Sequence, residues 1–336
     1  MQKLQQWHDV DKETFQKEIL ALHKPVVFKS LVRDWPAVQQ ATNSPAAMSS
    51  YLSQFDAGKE MPVLIGPPEI KGRFFYRDDL KGFNFDSKSR TLISTLKALR
   101  ELAEITEPPA VAMQSVSITD NLPGFCDDNH LSLLDESVQP LMWLGNKTVT
   151  TTHYDKNQNI ACAVAGHRRI TLFPPDQIAN LYIGPLLYSP AGAPMSMVDL
   201  RQPDFSRYPK FKDALNAALQ ADLEPGDAVY IPSYWWHNVE SLDSFSVLVN
   251  YWWAASEGEV DKPYQSLLHS LLSIPNLPLE QRKIWRAFFD YYVFQIDQNP
   301  AAHLPEDLQD IIGIFSPERK KRLMERLSNQ LVSDDT

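Results

Sequence analysis

Hydrophobic and polar residues change their rhythm twice along the chain. Near the N-terminus, Phe15-Gln16-Lys17-Glu18-Ile19-Leu20-Ala21-Leu22-His23-Lys24 carries apolar residues at helical spacing, and the short apolar run Pro25-Val26-Val27-Phe28-Lys29-Ser30-Leu31 reads as a strand that ends before Asp34-Trp35-Pro36. From about Ala110 to Trp253 the pattern becomes short β-type runs, AVAMQSVSI, IACAVA, RRITLF, DAVYIP and SFSVLVNYWW, separated by Gly, Pro and Asp turns. Such runs predict a β-sandwich or barrel. One interruption, FKDALNAALQADL, has helical spacing and is closed by Glu224-Pro225-Gly226-Asp227. After Trp253 the strands stop, and YQSLLHSLLS, LEQRKIWRAFFDYYVFQI and PERKKRLMERLSNQLV read as amphipathic helices. The expected organisation is therefore a β-rich domain over residues 1–255, with its core at about 110–255, and a helical region over 256–336. The apolar faces of those last helices point to packing on the barrel or to a homodimer.

Composition narrows the class. A 43% hydrophobic content in 336 residues is enough to bury a sizeable core. The opening MQKLQQWHDVDKETF has no apolar run of signal-peptide length, and no later stretch nears the roughly 18 apolar residues of a membrane span, so a soluble, cytoplasmic protein is expected. Cys126 and Cys162 lie 36 positions apart without metal-site spacing and read as reduced thiols. A net charge of -10 disfavours nucleic acid as a partner.

Candidate chemistry sits in Thr150-Thr151-Thr152-His153-Tyr154-Asp155. On a strand, residues i and i+2 share a face, so His153 and Asp155 converge without special backbone geometry. A third ligand is supplied by His237, which follows the strand DAVYIP 82 positions after Asp155. Two histidines and one carboxylate form a facial triad that leaves three sites open on an octahedral ion, suited to non-haem Fe(II) that must bind a bidentate cosubstrate and O2; zinc more often takes a tetrahedral set. The other histidines, His8, His23, His130, His167, His269 and His303, have no such partners and read as surface or core residues.

HYDKNQNIACAVAGHRRITLFPPDQIANLY, EPGDAVYIPSYWWHNVESL and VLVNYWW resemble, in order and spacing, the cupin-like branch of JmjC oxygenases, which includes the asparaginyl hydroxylase that acts on hypoxia-inducible factor. The likeness is close over about Gln114 to Trp253 and looser around PVVFKSLVRDWP. It implies a double-stranded β-helix of eight core strands, Fe(II) at its mouth, and hydroxylation coupled to conversion of 2-oxoglutarate and O2 into succinate and CO2. It further implies that Thr150 binds the cosubstrate carboxylate and that Asn159 and Asn250 lie near metal and cosubstrate. Parity places Asn159 with Asp155 if the strand is unbroken, whereas Thr150 has the wrong parity and needs a loop or bulge. Where the family hydroxylase holds the far carboxylate with lysine, this chain has Arg168, whose fork can bind a carboxylate through two parallel hydrogen bonds; Arg169 reads as an exposed hairpin charge. The family's tyrosine on that carboxylate falls at Val111 or a near neighbour, so Gln114 and Ser115 are candidates for its polar contacts. Trp235, Trp236, Trp252 and Trp253 read as core and wall residues, and Tyr154 should face away from the metal. Expected substrates are a protein side chain first and a small metabolite second. RFFYRDDLKGFNF, with Arg73, Tyr76, Arg77 and Asp79, is either a substrate-facing loop or a packed surface loop. A binding-only cupin, and a cupin holding Mn or Zn, are the rival readings.

Overall fold

The structure, a computed structural model, describes residues 1–190, 192–254, 263–297, 299–309, 312 and 317–333. Contacts divide the chain into two units, Met1–Glu257 and Gly258–Thr336. The expected boundary at 255/256 lies outside the described residues.

The first unit holds strands β1 (Gln2–Lys3), β2 (Gln5–Trp7), β3 (Val26–Phe28), β4 (Met61–Gly66), β5 (Asp86–Arg90), β6 (Ala110–Ser117), β7 (Pro140–Gly145), β8 (Val149–Tyr154), β9 (Gln158–Ala165), β10 (Arg168–Phe173), β11 (Leu219–Leu223), β12 (Ala228–Ile231), β13 (Trp236–Ser241) and β14 (Ser246–Trp253). They form a sheet ordered β2-β3-β12-β9-β14-β7-β6-β4-β5 and a smaller one ordered β1-β11-β10-β13-β8. The eight strands from β7 to β14 divide four and four between the sheets, and every pairing among them is antiparallel. This is the cupin jelly roll. N-terminal strands lengthen both sheets: β1 runs parallel to β11, and β3 pairs with β12.

The near-continuous apolar runs of β9 and β14 follow from burial on both faces. Ile160, Cys162, Val164, Val247, Val249 and Tyr251 join an outer core with Val38, Met48, Leu52, Leu92, Leu96 and Leu99. Those partners come from helices Pro36–Asn43, Pro45–Ser53 and Leu92–Leu102, which cover the larger sheet. On the other face, Ala161, Ala163 and Leu248 meet Ile170, Leu172 and Leu223 of the smaller sheet. Cys126 and Cys162 are both unpaired, and burial pushes the Cys162 thiol far up.

Two junctions set the register. Gly166 makes the turn between β9 and β10 at φ +70, where a Cβ would sit 2.6 Å from the Phe245 carbonyl oxygen, so the close approach and the left-handed backbone both call for glycine. Asp227, after the turn from β11, is buried and accepts from the backbone N–H groups of Ser30 (2.9 Å) and Glu224 (3.1 Å) while pairing with Lys29, tying the N-terminal segment to the barrel.

The helix expected over FKDALNAALQADL is corrected: it spans only Phe211–Ala217, and Leu219–Leu223 is β11, paired with β10 and β1. The apolar spacing of that stretch suits either element, and an open sheet edge settled it. The N-terminal helical segment is irregular, a wide turn over Phe15–Ile19 followed by a tight one over Leu20–Leu22, but its Phe15 and Ile19 are buried as the spacing requires.

In the second unit, helices run over Pro263–Ser273, Leu279–Phe289 and Pro317–Ser333. Leu267, Leu271, Leu272, Ile284, Trp285 and Phe288 are exposed. Among the described residues no helix is long and apolar enough to cross a membrane.

Candidate metal centre

β8 and β13 lie side by side with His153 directly opposite His237, and Asp155 follows β8 by one residue. Their rings stand 4.3 Å apart between centroids. The Asp155 carboxylate reaches both: Oδ1 lies 4.0 Å from His153 Nε2 and Oδ2 lies 3.6 Å from His237 Nε2. One ligand atom from each residue falls within 4.8 Å of the others, so small side-chain rotations bring all three to the roughly 2.1 Å bonds of a shared ion.

Backbone carbonyls fix how the imidazoles point. His153 Nδ1 lies 2.9 Å from the Thr151 carbonyl oxygen and His237 Nδ1 lies 3.0 Å from that of Trp235. A carbonyl can only accept, so each Nδ1 carries the proton and each Nε2 presents its lone pair toward Asp155. Burial first, and then the facing His153 imidazole, hold the His237 pKa down to about 4, so the ring is neutral and ready to ligate at neutral pH. Two imidazole nitrogens and one carboxyl group, with no thiol in the set, fit a 2-His-1-carboxylate iron site.

Beneath this cluster a cavity of about 200 Å³ lies between the sheets. Strand register orders each wall. On the smaller sheet Thr150, Val239 and Ile170 lie one step from the His153–His237 pair, and Arg168 lies one step further along β10. On the larger sheet Asn159 is beside Trp252, Asn250 is one step along β14, and Leu248 beside Trp143 is one step further. Arg168 is only 7% exposed, and its Nε has no hydrogen-bond partner among the described residues. Burial lowers its pKa to about 10, which leaves it charged at neutral pH. A buried cation without a carboxylate partner is costly, and an anionic ligand entering from above would relieve that cost. Its neighbour Arg169 points outward and pairs with Asp222 through two bonds of 2.8 and 2.9 Å.

The remaining sequence candidates fall out by backbone geometry. Thr150 reaches the cavity because β8 takes three residues from Thr150 to His153 where β13 takes two from Val239 to His237, the bulge that its parity required. Asn159 lines the cavity for a different reason from the expected one: β8 ends at Tyr154, and Asn159 belongs to β9 in the other sheet. Gln114 and Ser115 sit in an irregularity of β6 opposite Trp143, Ser115 at φ 52, and both line the cavity. Val111 instead packs in the outer core. Tyr154 turns away and packs edge-on to Trp236, 4.9 Å between rings. Trp235, Trp236 and Trp253 are packing residues and Trp252 is a cavity wall.

The RFFYRDDLKGFNF loop is mostly packed. Arg73 lies over the Phe75 ring at 3.6 Å and contacts Thr151 and Asp199, and Tyr76 donates from its hydroxyl to the Tyr188 carbonyl at 2.5 Å; the exposed part is the run from Arg77 to Lys81. Trp143, Pro190, Ile231 and Val239 also line the cavity without having been singled out in the sequence. For Trp143 the signal was available, since Met142 and Leu144 face the outer core and the alternation sends Trp143 inward.

The family model of the cupin-like domain matches residues 12–259. Among curated proteins, JmjC domain-containing protein D of Dictyostelium discoideum is 27% identical over 253 residues, 69% of this chain and 52% of that protein. Lysine-specific demethylase JMJ31 of Arabidopsis thaliana is 35% identical over 135 residues, 40% of this chain and 23% of that protein. tRNA wybutosine-synthesizing protein 5 of Danio rerio is 26% identical over 267 residues, 73% of both. The chain thus spans about half the length of the first relative and about a quarter of the second. A jelly roll carrying two histidines and a carboxylate on adjoining strands, and a family match over most of the chain, lead to one conclusion: the chain belongs to the cupin-like, JmjC-type domain family.

Proposed function

We propose that this protein is an Fe(II)- and 2-oxoglutarate-dependent oxygenase that hydroxylates an unactivated C–H bond, with a protein side chain as the first choice of substrate. The observation that carries this reading is that His153, Asp155 and His237 share one cavity with a buried arginine, Arg168, that has no acidic partner among the described residues. His153, Asp155 and His237 would hold the metal. When bound, Fe(II) supplies the activation of O2 that couples cosubstrate decarboxylation to C–H hydroxylation.

The chain's own groups do the positioning. Arg168 receives the far carboxylate of the cosubstrate, helped by the Thr150 hydroxyl. Leu172 lies opposite His237, and Arg168 is four residues further along β10, about 13 Å at roughly 3.3 Å per residue. That separation leaves room for a diacid that meets the metal ligands at one end and the guanidinium at the other. Asn159 and Asn250 serve the metal-proximal end, and Gln114 and Ser115 add polar contacts from β6. Ile170, Ile231, Val239 and Leu248 keep the site dry, so that reaction is directed at substrate. No side chain needs to act as a general base.

Apart from Asp155, no carboxylate among the described residues lines the cavity. A methylammonium head would therefore find little to balance its charge, which favours hydroxylation over the lysine demethylation named for the Arabidopsis relative. A net charge of -10 opposes a polyanionic substrate such as the tRNA named for the Danio relative, and a small metabolite stands as the second choice. We further propose self-association through the exposed apolar side chains of helices Pro263–Ser273 and Leu279–Phe289.

The test is anaerobic Fe(II) loading followed by 2-oxoglutarate titration, reading the weak visible charge-transfer band of a chelated keto acid. Wild type should develop the band, and Arg168→Ala should require at least about tenfold more cosubstrate, the loss of a charge-assisted pair. Fe(II) binding without a band or succinate formation would leave a binding-only or other-metal cupin.

A further inference from the structure

We propose that Trp143 is a positioning residue that fixes the polarity of a hydrogen-bond relay, so that the cavity wall facing the metal presents only N–H donors to the metal-proximal carboxylate of the cosubstrate. The inference rests on the 2-oxoglutarate reading above.

Trp143 Nε1 lies 2.8 Å from Asn250 Oδ1. An indole nitrogen can only donate, so the atom facing it must be the oxygen of the Asn250 amide, and the orientation of that amide follows from chemistry. Asn250 Nδ2 is thereby turned toward Asn159, whose Oδ1 it meets at 3.3 Å. Accepting at Oδ1 turns that side of the Asn159 amide toward Asn250, and its Nδ2 is left to donate into the cavity that the residue lines. The order of donation is Trp143 to Asn250 to Asn159 to ligand, and it cannot run backward, because its first member has no acceptor.

Both asparagines are buried, at 2% and 5% exposure, which protects the relay from competing water. The strand ladder sets its direction through space. Trp143 and Asn250 belong to neighbouring strands β7 and β14, and Asn159 on β9 pairs in register with Trp252, placing the end of the relay in the cavity that His153, Asp155 and His237 also line. Trp252 adds a second donor beside Asn159: its indole Nε1 is buried with no hydrogen-bond partner among the described residues, and its ring meets Trp143 edge-on at 6.1 Å. A wall of donors suits an anionic oxygen and opposes a ligand that offers an N–H there. Removing the Trp143 donor frees the Asn250 amide to flip, and either amide then turns its carbonyl oxygen toward the cosubstrate carboxylate.

The experiment compares wild type, Trp143→Phe, Asn159→Ala and the double variant by anaerobic Fe(II) and 2-oxoglutarate titration, with the Trp143 indole N–H resonance followed in the apoprotein. Trp143→Phe keeps an aromatic ring in place and should bind Fe(II) as wild type does, while needing about tenfold more 2-oxoglutarate. The double variant should be no weaker than Asn159→Ala, because the two residues act through one chain. In the apoprotein, Asn250→Leu should shift the Trp143 indole proton upfield. Wild-type cosubstrate affinity in Trp143→Phe, losses that multiply in the double variant, or an unmoved indole proton would each overturn the relay while leaving the oxygenase reading intact. Absence of the charge-transfer band in wild type would overturn both.

Discussion

Single side chains show where spacing is a sufficient guide and where it is not. His153 and His237 could be paired with Asp155 from the sequence because strand parity and the family resemblance agree, but the tautomer that aims each Nε2 comes from the carbonyls of Thr151 and Trp235. Thr150 contradicted its parity, and a bulge resolved the contradiction. Asn159 obeyed parity by coincidence, since the chain changes sheets between it and Asp155. Arg168 raises a question that belongs to this scale, whether its fork or only its charge is used. With the planar fork and its two parallel bonds replaced by a single ammonium, Arg168→Lys should retain the Fe(II)–keto acid band and weaken cosubstrate binding less than Arg168→Ala does, by about tenfold or below. The same anaerobic titration checks this, and equal losses in the two variants would assign the effect to pocket depth.

At the level of elements, β9 and β14 were legible because strands buried on both faces read as unbroken apolar runs. β11 was not, because LQADL carries no strand signature of its own. It is a strand because β10 and β1 offer it edges on both sides, a case of tertiary pairing overriding local pattern. The junction after β11 depends on Asp227, whose carboxylate serves two backbone N–H groups and Lys29 in a buried position. Asp227→Ala should destabilise the fold by about 3 kcal/mol, since it leaves buried donors and a charge unmatched. Urea denaturation measures this, and a loss below about 1 kcal/mol would show that water replaces the carboxylate.

For the whole molecule, the second unit poses the open question, because Trp285, Phe288 and Leu272 are large apolar side chains left exposed. If these helices self-associate, sedimentation should show a dimer for wild type and a monomer for Trp285→Ser combined with Phe288→Ser, with unchanged Fe(II) binding; a monomeric wild type would refute it. The sequence by itself determined the β-rich core, the C-terminal helices and the shared face of His153 and Asp155, since burial patterns and strand parity are local properties of the chain, and the order and spacing shared with the family added His237 to the cluster. It did not determine which strands share a sheet, where the bulges fall, or that Trp143, Asn250 and Asn159 form one directed relay. Those depend on register between strands as far apart in sequence as β7 and β14, and only the closed barrel brings such distant residues into hydrogen-bonding range.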